Sequence, residues 1–270
     1  MSQPEFQKIL PLVIQAVERA GHLLELDLNR PGGPRGSGDK AEVDAEIEEL
    51  LRPLLLQILS CDWWGEETGY ALTGHASCWV VDPNDGTSDF LKGKKGSAVS
   101  VGLLHENQPV LGVVYAPVTS AGIPDCVAWA MGMSHLLRNG VPIKVDLNDQ
   151  DLTQGSLVMV SAAAAEKPDL NRELCAPGDF MAMTSIAYRL AKVAAGDGVC
   201  GISLSPVSAH DVVAGHALLL GANGVLLNET GEAIEYKTEL EMLSVSKRCF
   251  GGARRAALEL ASREWSRVLV

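Results

Sequence analysis

The sequence predicts an α+β protein built from stacked layers of helices and sheets. Segments with helical periodicity and segments that resemble strands both occur, but they do not follow the regular β-α-β order of a doubly wound sheet. Two of the strand-like segments are separated by only two residues, which favours an antiparallel hairpin. The chain has 270 residues, of which 47% are hydrophobic and 21% charged, so it can bury a substantial core.

The N-terminal part begins with two predicted helices. Residues 10–28 carry apolar side chains at the spacing of an amphipathic helix. The Gly- and Pro-rich segment 30–39 then predicts a mobile loop. The second helix is expected to begin near Asp44, because acidic residues cluster there and the helix dipole favours them in a first turn. Pro53 is expected to kink this helix or to end its first part.

Strand-like segments follow in the middle of the chain, and the Asn107-Gln108 pair between two of them predicts a β-hairpin. A further pair that resembles a hairpin lies at 127–138. The strand-like runs are CWVVD, SAVSVGLLHE and PVLGVVYAP.

A polar segment at 141–155 predicts a boundary between two subdomains. We place an N-terminal subdomain of helices and antiparallel sheet at 1–143 and a C-terminal α/β subdomain at 144–270. The second part is predicted to contain a strand, two helices that each close on glycine, and a hairpin around Thr230-Gly231. The corresponding segments are SLVMVSA, TSIAYRLAKVAAG, DVVAGHALLLGANG and GVLLNETGEAI.

Charge and cysteine content exclude several classes of function. The formal net charge is −12, and no cluster of Lys or Arg offsets it, which argues against a nucleic acid or an anionic membrane as partner. The six cysteines form no C-x-x-C pair, so we expect buried reduced thiols in a cytoplasmic protein. The N-terminus has no basic leader and its apolar stretch is broken by Pro11, so neither a signal peptide nor a membrane span is expected.

The segment WVVDPNDGTSDFL, residues 79–91, places three aspartates within eight positions after a strand-like run. Asp82, Asp85 and Asp89 would repel one another at the end of a buried strand, so a cation is expected beside them. The motif is also compatible with an ordinary turn. A strand that leads directly into D-P-x-D-G-T is nevertheless a specific arrangement.

Two other acidic stretches complete a candidate metal site. GEETG carries Glu66 and Glu67, and SAHDVVAG carries Asp211 at the start of a predicted helix. Taken singly, these residues also fit a solvated face and a helix N-cap. Hard cations such as Mg²⁺ prefer oxygen ligands and keep several waters. We expect convergence of four carboxylates on divalent cations: Glu66, Asp82, Asp85 and Asp211.

The turn after Asp82 is also suited to binding an anion beside those cations. Pro83 fixes the turn, and the backbone carbonyl of Asn84 is expected to point inward. Gly86 and Thr87 then present backbone N–H groups, and Thr87 a hydroxyl, to the anion.

The order G-E-E, then D-P-x-D-G-T, then a distant D-x-x-A-G resembles the signature of the inositol monophosphatase superfamily. Its members are magnesium-dependent, lithium-sensitive phosphatases and include bisphosphate nucleotidases. The resemblance covers most of the chain. It implies a layered α/β/α/β/α sandwich of two subdomains that together form one catalytic unit, with the active site between them and a homodimer as a common assembly.

The resemblance also implies roles for individual residues. Glu66 would bind metal and orient the attacking water, Asp82 would bridge two Mg²⁺ ions, and Asp211 would hold the second. Asp85 and the Asn84 carbonyl would complete these sites. Asp44 would work with Thr87 to activate water and support a third Mg²⁺ ion. The residues expected to contact substrate are Asp85, Gly86, Thr87, Ser88, Ser185, His210 and Asp211.

Three departures from the family pattern stand out. His210 precedes Asp211 where the family usually has Trp, and Asn84 replaces an aliphatic residue. The early segment that contains Asp44 reads K-A-E-V-D instead of V-T-x-x-D.

These observations predict a Mg²⁺-dependent phosphomonoesterase that hydrolyses inositol monophosphate or a similar sugar or polyol phosphate with metal-activated water. A 3′(2′),5′-bisphosphate nucleotidase is the alternative, because DGTSDF is close to the D-G-T-K-E-F of that branch. The segment SLSPVSA before His210 contains no Arg or Lys, which favours a polyol over a second phosphate. A non-catalytic protein that binds phosphate or metal is a third possibility, but it would not need Thr87 to activate water.

Overall fold

The computed structural model describes residues 5–268. Within them the helices are α1 (Phe6–Leu28), α2 (Glu42–Ile58), α3 (Thr87–Phe90), α4 (Pro168–Cys175), α5 (Ile186–Ala194), α6 (Ala209–Gly221), α7 (Glu239–Leu243) and α8 (Arg254–Ala261). Two short 3₁₀ helices lie at Ala162–Glu166 and Trp265–Val268.

The strands of the first half are β1 (Gly36–Ser37), β2 (Lys40–Ala41), β3 (Asp62–Gly65), β4 (Tyr70–Ala71), β5 (Ser77–Asp85), β6 (Ala98–His105), β7 (Gln108–Ala116), β8 (Asp125–Ala130), β9 (Leu136–Arg138) and β10 (Val141–Ile143). Those of the second half are β11 (Leu157–Ser161), β12 (Asp179–Met183), β13 (Cys200–Ser203), β14 (Val225–Asn228) and β15 (Cys249–Gly252).

The strands form two large sheets and one small ribbon. The first sheet has eight strands in the order β10-β9-β8-β7-β6-β5-β3-β4 and is antiparallel except where β3 pairs with β5. The second has five strands in the order β12-β11-β13-β15-β14, with β11 parallel to both of its neighbours. The ribbon pairs β1 with β2.

Alternate residues of β5 belong to two different cores, which gives the order of the layers. Trp79 and Val81 pack with α1 and α2 on one face of the first sheet, whereas Val80 packs with α5 and α6 on the other. α5 and α6 also pack against the second sheet, and α8 covers its far side. The predicted α/β/α/β/α layering is therefore present.

α6 lies unusually close to the first sheet because two paired residues there have no side chain. Gly102 of β6 is opposite Gly112 of β7. A Cβ at Gly102 would lie 2.6 Å from Val213 Cγ1, and one at Gly112 would lie 2.3 Å from the Ala214 carbonyl oxygen. The absence of side chains lets the backbone of α6 rest on the sheet and places its N-terminus beside the end of β5.

Several sequence predictions are confirmed. β6 and β7 form the predicted hairpin, although its turn lies at Glu106-Asn107, both of which have positive φ. β8 and β9 form the hairpin predicted at 127–138. The two helices predicted in the second half are α5 and α6, but the left-handed residue after α6 is Asn223 instead of glycine.

Other predictions need correction. Segment 30–39 is not wholly irregular, because its end forms the β1–β2 ribbon and Arg35 Nε donates to Asp27 Oδ1 at 2.6 Å. Pro53 does not end α2, which continues to Ile58. Proline removes the hydrogen bond to the carbonyl four residues earlier, that of Glu49, and both residues are exposed, so water can satisfy this carbonyl.

The division into subdomains at 143/144 stays a prediction, since α5 and α6 belong to the second half and pack against the first sheet. Within residues 5–268, no helix is both long enough and apolar enough to cross a membrane. All six cysteines are free thiols, and five of them are buried.

Candidate active site

Most of the predicted site residues meet where β5 ends and α6 begins. Asp82 and Asp85 lie at the end of β5, and a register shift between them interrupts the pairing with β6. Asp211 lies in the first turn of α6. One carboxylate oxygen of each of these three residues lies within 4.8 Å of the others. Residues separated by more than 120 positions are thus brought to one point.

Local hydrogen bonds hold two of these carboxylates in place. The backbone N–H of Asn84 donates to Asp82 Oδ1 at 2.9 Å. Asp211 forms a capping box with Ser208, whose backbone N–H donates to Asp211 Oδ2 at 2.5 Å. The N-cap of α6 is therefore Ser208, and Asp211 stands at its third position.

Burial raises the pKa of each acidic group in this cluster, and repulsion by acidic neighbours adds to the rise for Glu66, Asp82 and Asp85. Burial is the largest cause for Asp85 and Asp211, and each reaches a pKa of about 6. Glu66, in the turn after β3, is exposed overall, but its carboxyl group is surrounded by protein atoms and acidic neighbours that raise its pKa to about 8. The pKa of Asp82 is raised well above its ordinary value, first by burial and then by Glu66, Asp85 and Asp211.

The donor set fits a hard divalent cation. Three carboxylate oxygens at mutual distances below 4.8 Å provide the all-oxygen environment that Mg²⁺ prefers, and they repel one another without it. Arg189 is a buried cation whose charge lowers the pKa of Asp85 and Asp211, yet three of its N–H groups donate to backbone carbonyls. The charge of one guanidinium group does not balance four carboxylates.

A second group of residues adjoins the cluster. Asp44, in the first turn of α2, accepts a hydrogen bond from Asn84 Nδ2 at 2.9 Å and one from Thr87 Oγ1 at 3.3 Å. The Thr87 hydroxyl also lies 2.8 Å from the Asn84 carbonyl oxygen. Burial raises the pKa of Asp44 to about 7, and the bond from Asn84 opposes this rise. The predicted Asp44–Thr87 pair is therefore in contact, and the Asn84 carbonyl faces Thr87.

The turn between β5 and α3 contains the glycine and the threonine that were predicted to bind an anion, and that role stays a prediction. Gly86 has a φ of +100°, a conformation that residues with a side chain rarely adopt, and it leads directly into Thr87. Ser88 is exposed, and its hydroxyl accepts a hydrogen bond from Lys92 Nζ at 3.3 Å. No hydrogen bond links Ser88 to the acidic cluster within the described chain, and its predicted contact with substrate stays a prediction.

Ser185 has a different role from the one predicted. It is fully buried as the N-cap of α5, and its hydroxyl donates to Asp85 Oδ2 at 2.5 Å while it accepts the N–H of Tyr188. The backbone N–H of Ala187 donates to the same Asp85 oxygen. Ser185 thus orients Asp85 and has no surface left for a substrate, which corrects the sequence-based expectation.

His210 lies beside the cluster at the start of α6. Its Nε2 is 3.9 Å from Asp211 Oδ2, and its Nδ1 is buried without a hydrogen-bond partner among residues 5–268. Burial lowers its pKa, so the ring is neutral near pH 7. His216, by contrast, is buried in the core and hydrogen-bonds the Tyr236 hydroxyl.

Sequence reasoning missed Glu48. This residue is completely buried on α2, one turn after Asp44. Its carboxylate accepts the N–H groups of Glu67 and Thr68, each at 2.8 Å, and the Thr68 hydroxyl. It thereby holds the turn that carries Glu66. The spacing of four residues from Asp44 on a helix was the available signal, since such residues share one face.

A comparison over nearly the whole chain identifies its family. The family model for the inositol monophosphatase family matches residues 7–267. The chain belongs to the inositol monophosphatase family. It is accordingly a phosphatase that hydrolyses phosphoric monoesters, as the acidic motifs predicted.

Relatives within the inositol monophosphatase family carry more than one substrate name. The probable inositol 1-monophosphatase ImpA of Mycobacterium tuberculosis is 31% identical over 208 residues, which are 73% of this chain and 74% of that protein. The 3′(2′),5′-bisphosphate nucleotidase CysQ of Salmonella typhimurium is 30% identical over 160 residues, which are 58% of this chain and 61% of that protein. These identities do not separate the two substrate classes.

A solved structure of the family confirms the fold. The inositol monophosphatase of Anabaena (Nostoc) sp. PCC 7120 superposes with a TM-score of 0.71 at 24% identity, over 97% of this chain and 95% of that one. This similarity supports the layered α+β architecture.

Proposed function

We propose that this phosphatase hydrolyses inositol monophosphate or a similar sugar or polyol phosphate in a Mg²⁺-dependent reaction. The observation that carries the proposal is the meeting of Asp82, Asp85 and Asp211 within 4.8 Å, beside the contact between Asp44 and Thr87. Such a site can bind both a divalent cation and a phosphoryl group, and it has a carboxylate next to the place where water would attack.

Four carboxylates, one backbone carbonyl and Asp44 would bind the metal ions. Glu66, Asp82, Asp85, Asp211 and the Asn84 carbonyl would hold two Mg²⁺ ions, and Asp44 would support a third. When bound, Mg²⁺ supplies Lewis-acid charge neutralisation at the phosphoryl oxygens and the leaving oxygen, and it lowers the pKa of water.

The residues of the chain itself would then orient the reactants. The N–H groups of Gly86 and Thr87, at the start of α3, would hold the phosphoryl oxygens. Thr87 would position the attacking water through its hydroxyl, and Asp44, with a pKa near 7, could accept a proton through that hydroxyl. Spontaneous hydrolysis of phosphomonoesters is extremely slow, so fixed charges aimed at the phosphoryl group would provide most of the acceleration.

The substrate preference rests on Arg189, the buried cation beside the acidic cluster, and on the segment before His210. Arg189 donates to the carbonyls of Thr184, Ser185 and Ile202 and is buried, so a second phosphate could not reach it without rearrangement. Segment 203–209 supplies serine hydroxyls and no Lys or Arg. Hydroxyl groups suit a polyol better than a dianionic phosphate.

A direct comparison of two substrates tests this proposal. We expect a higher kcat/KM on inositol 1-phosphate than on adenosine 3′,5′-bisphosphate at saturating Mg²⁺, and no phosphate release in excess EDTA. A preference of more than tenfold for the nucleotide, about 1.4 kcal/mol in transition-state binding, would make the chain a bisphosphate nucleotidase. Binding of Mg²⁺ and phosphate with no turnover of either substrate would favour a non-catalytic regulatory protein.

We further propose a cytoplasmic location and a homodimer. The buried free thiols are compatible with a reducing compartment. The homodimer is proposed because it is a common assembly in the family, and sedimentation of the purified protein tests it.

A further inference from the structure

Asn84 makes three hydrogen bonds that tie together the metal-binding strand and the helix that carries Asp44. It lies between Asp82 and Asp85 in β5 and is 1% exposed. Its backbone groups contact Asp82 and Thr87, as the motif requires. Its side chain does something else, because Nδ2 reaches across to α2 and donates to Asp44 Oδ1 at 2.9 Å.

Asp44 has two donors that it does not share, the side-chain amide of Asn84 and the backbone N–H of Ala41. The single proton of the Thr87 hydroxyl has two acceptors, the Asn84 carbonyl at 2.8 Å and Asp44 Oδ2 at 3.3 Å, and the shorter contact competes with the longer. The N-cap of α2 is Ala41, which offers no side-chain hydrogen bond. The amide of Asn84 is therefore the main side-chain restraint on the orientation of the Asp44 carboxylate.

The side-chain amide of Asn84 is locally unfavourable for stability. Asn84 Oδ1 is buried, and no group within residues 5–268 donates a hydrogen bond to it. A buried acceptor without a partner is unfavourable, and a leucine, which branches at the same atom and has no polar group, would avoid it. Packing alone thus gives no reason for an amide at this position, where the family motif has an aliphatic residue.

We propose that the side chain of Asn84 is a positioning residue that fixes the Asp44 carboxylate, so that Oδ2 faces Thr87 and the attacking water. This inference rests on the proposed function, because it assigns the Asp44–Thr87 pair a part in hydrolysis. It adds a role for the Asn84 side chain that is separate from the metal contact of its backbone carbonyl.

The decisive variant is Asn84→Leu, which removes the amide and keeps the backbone carbonyl. We expect kcat on inositol 1-phosphate to fall about tenfold to a hundredfold, equivalent to about 1.4 to 2.8 kcal/mol, while KM changes by less than about threefold. The Mg²⁺ affinity measured by calorimetry should also stay within about threefold. In an Asp44→Asn background the same change should cost less than about threefold in kcat, since the residue through which it acts has already been altered.

Asn171→Leu is the matched control. Asn171 is also fully buried with an unpartnered Oδ1, but its amide donates to the carbonyls of Ala164 and Lys167, far from the cluster in sequence and in a different layer. This variant should keep the wild-type kcat even if its unfolding midpoint falls. A loss of kcat in Asn171→Leu equal to that in Asn84→Leu would show that the effect is general loosening and would overturn the proposal.

Three further results would also overturn it: wild-type kcat in Asn84→Leu, an equal loss in the Asp44→Asn background, or a fall of more than about tenfold in Mg²⁺ affinity. If the wild type hydrolyses neither inositol 1-phosphate nor adenosine 3′,5′-bisphosphate with Mg²⁺, the proposed function fails instead. The contact between the Asn84 amide and the Asp44 carboxylate is then tested by urea unfolding in EDTA. Asn84→Leu must shift the midpoint less in the Asp44→Asn background than in the wild type, and equal shifts would refute the contact.

Discussion

Replacing Asp82 by Asn should abolish activity and, in the absence of metal, make the protein more stable. Asp82 is buried among Glu66, Asp85 and Asp211, so at neutral pH its side chain is either charged and repelled or protonated against its ordinary pKa. Asparagine has nearly the same shape, carries no charge, and can still accept the N–H of Asn84 through its amide oxygen. The substitution therefore removes the unfavourable buried charge of Asp82 and keeps the hydrogen bond from the backbone N–H of Asn84.

The expected gain follows from the neighbouring carboxyl groups. The pKa of Asp85 rises from 3.8 to about 6, which corresponds to about 3 kcal/mol. Asp82 has three acidic neighbours and is also buried, so its penalty has the same sign. The folded state binds more protons than the unfolded state above pH 3.8, so this penalty grows as pH rises. At pH 5 the penalty is smaller than at pH 8, because pH 5 is little more than one unit above the ordinary pKa of an aspartate.

Urea denaturation in EDTA at pH 5 and pH 8 measures both values. Asp62→Asn is a matched control, because Asp62 is also buried but accepts hydrogen bonds from the backbone of Thr73, Gly74 and His75 and from the Thr73 hydroxyl. Burial alone would raise the pKa of Asp62, but these bonds outweigh it and lower the pKa. Asp62→Asn should thus lose about 2 kcal/mol, opposite in sign to Asp82→Asn.

Magnesium supplies the second arm of the same experiment. Saturating Mg²⁺ should stabilise the wild type, by about 2.7 kcal/mol at a hundred times its Kd, and should stabilise Asp82→Asn far less. The reasoning is refuted if metal-free Asp82→Asn is less stable than the wild type at pH 8, or if its gain is the same at both pH values. Retention of wild-type turnover would refute the assignment of Asp82 as a metal ligand.

Two further predictions concern the turn of Glu66 and the family's response to lithium. Glu48→Gln should weaken Mg²⁺ binding about tenfold, because one carboxylate oxygen becomes an NH₂ group that faces the N–H of Glu67 or Thr68 and loosens the turn. Calorimetry measures the Mg²⁺ affinity, and Glu49→Gln is the control because the Glu49 side chain is exposed. Equal affinities in the two variants would exclude a role for Glu48 in holding the turn. Lithium chloride in the millimolar range should inhibit phosphate release relative to sodium chloride, as the family resemblance implies, and full activity in high lithium would contradict that expectation.

The part of the site at the end of β5 could be predicted from the sequence because its charged residues lie only a few positions apart. A strand that leads into two aspartates flanking a proline requires charge compensation, so Asp82 and Asp85 were identifiable without a structure. Asp211 could be grouped with them by its chemical type and by the family resemblance, but nothing in a helix start 126 positions later gives its distance from β5. Its position depends on how closely α6 approaches the first sheet, which is a property of packing.

The supporting residues could not be identified because their roles depend on orientation. α2 contains four glutamates, and the spacing from Asp44 can place Glu48 on the same helix face, but only its contact with Glu67 and Thr68 shows what it does. Ser185 was predicted to contact substrate, but the N-terminus of α5 points at Asp85, and this turns its hydroxyl inward. The motif predicts a role only for the backbone carbonyl of Asn84, whereas its side-chain amide contacts a different helix.

The two helices that complete the core also complete the site, so folding and function depend on the same packing. α5 and α6 lie between the sheets, and their first turns deliver Ser185 and Asp211 to the end of β5. Residues 1–143 alone would expose the apolar face of the first sheet, including Val80 and Val114, and would lack Asp211. The first half therefore contains most of the proposed metal ligands but cannot assemble the cluster. A boundary at 143/144 divides the chain between its sheets, and it does not separate a unit that could bind metal in the same way.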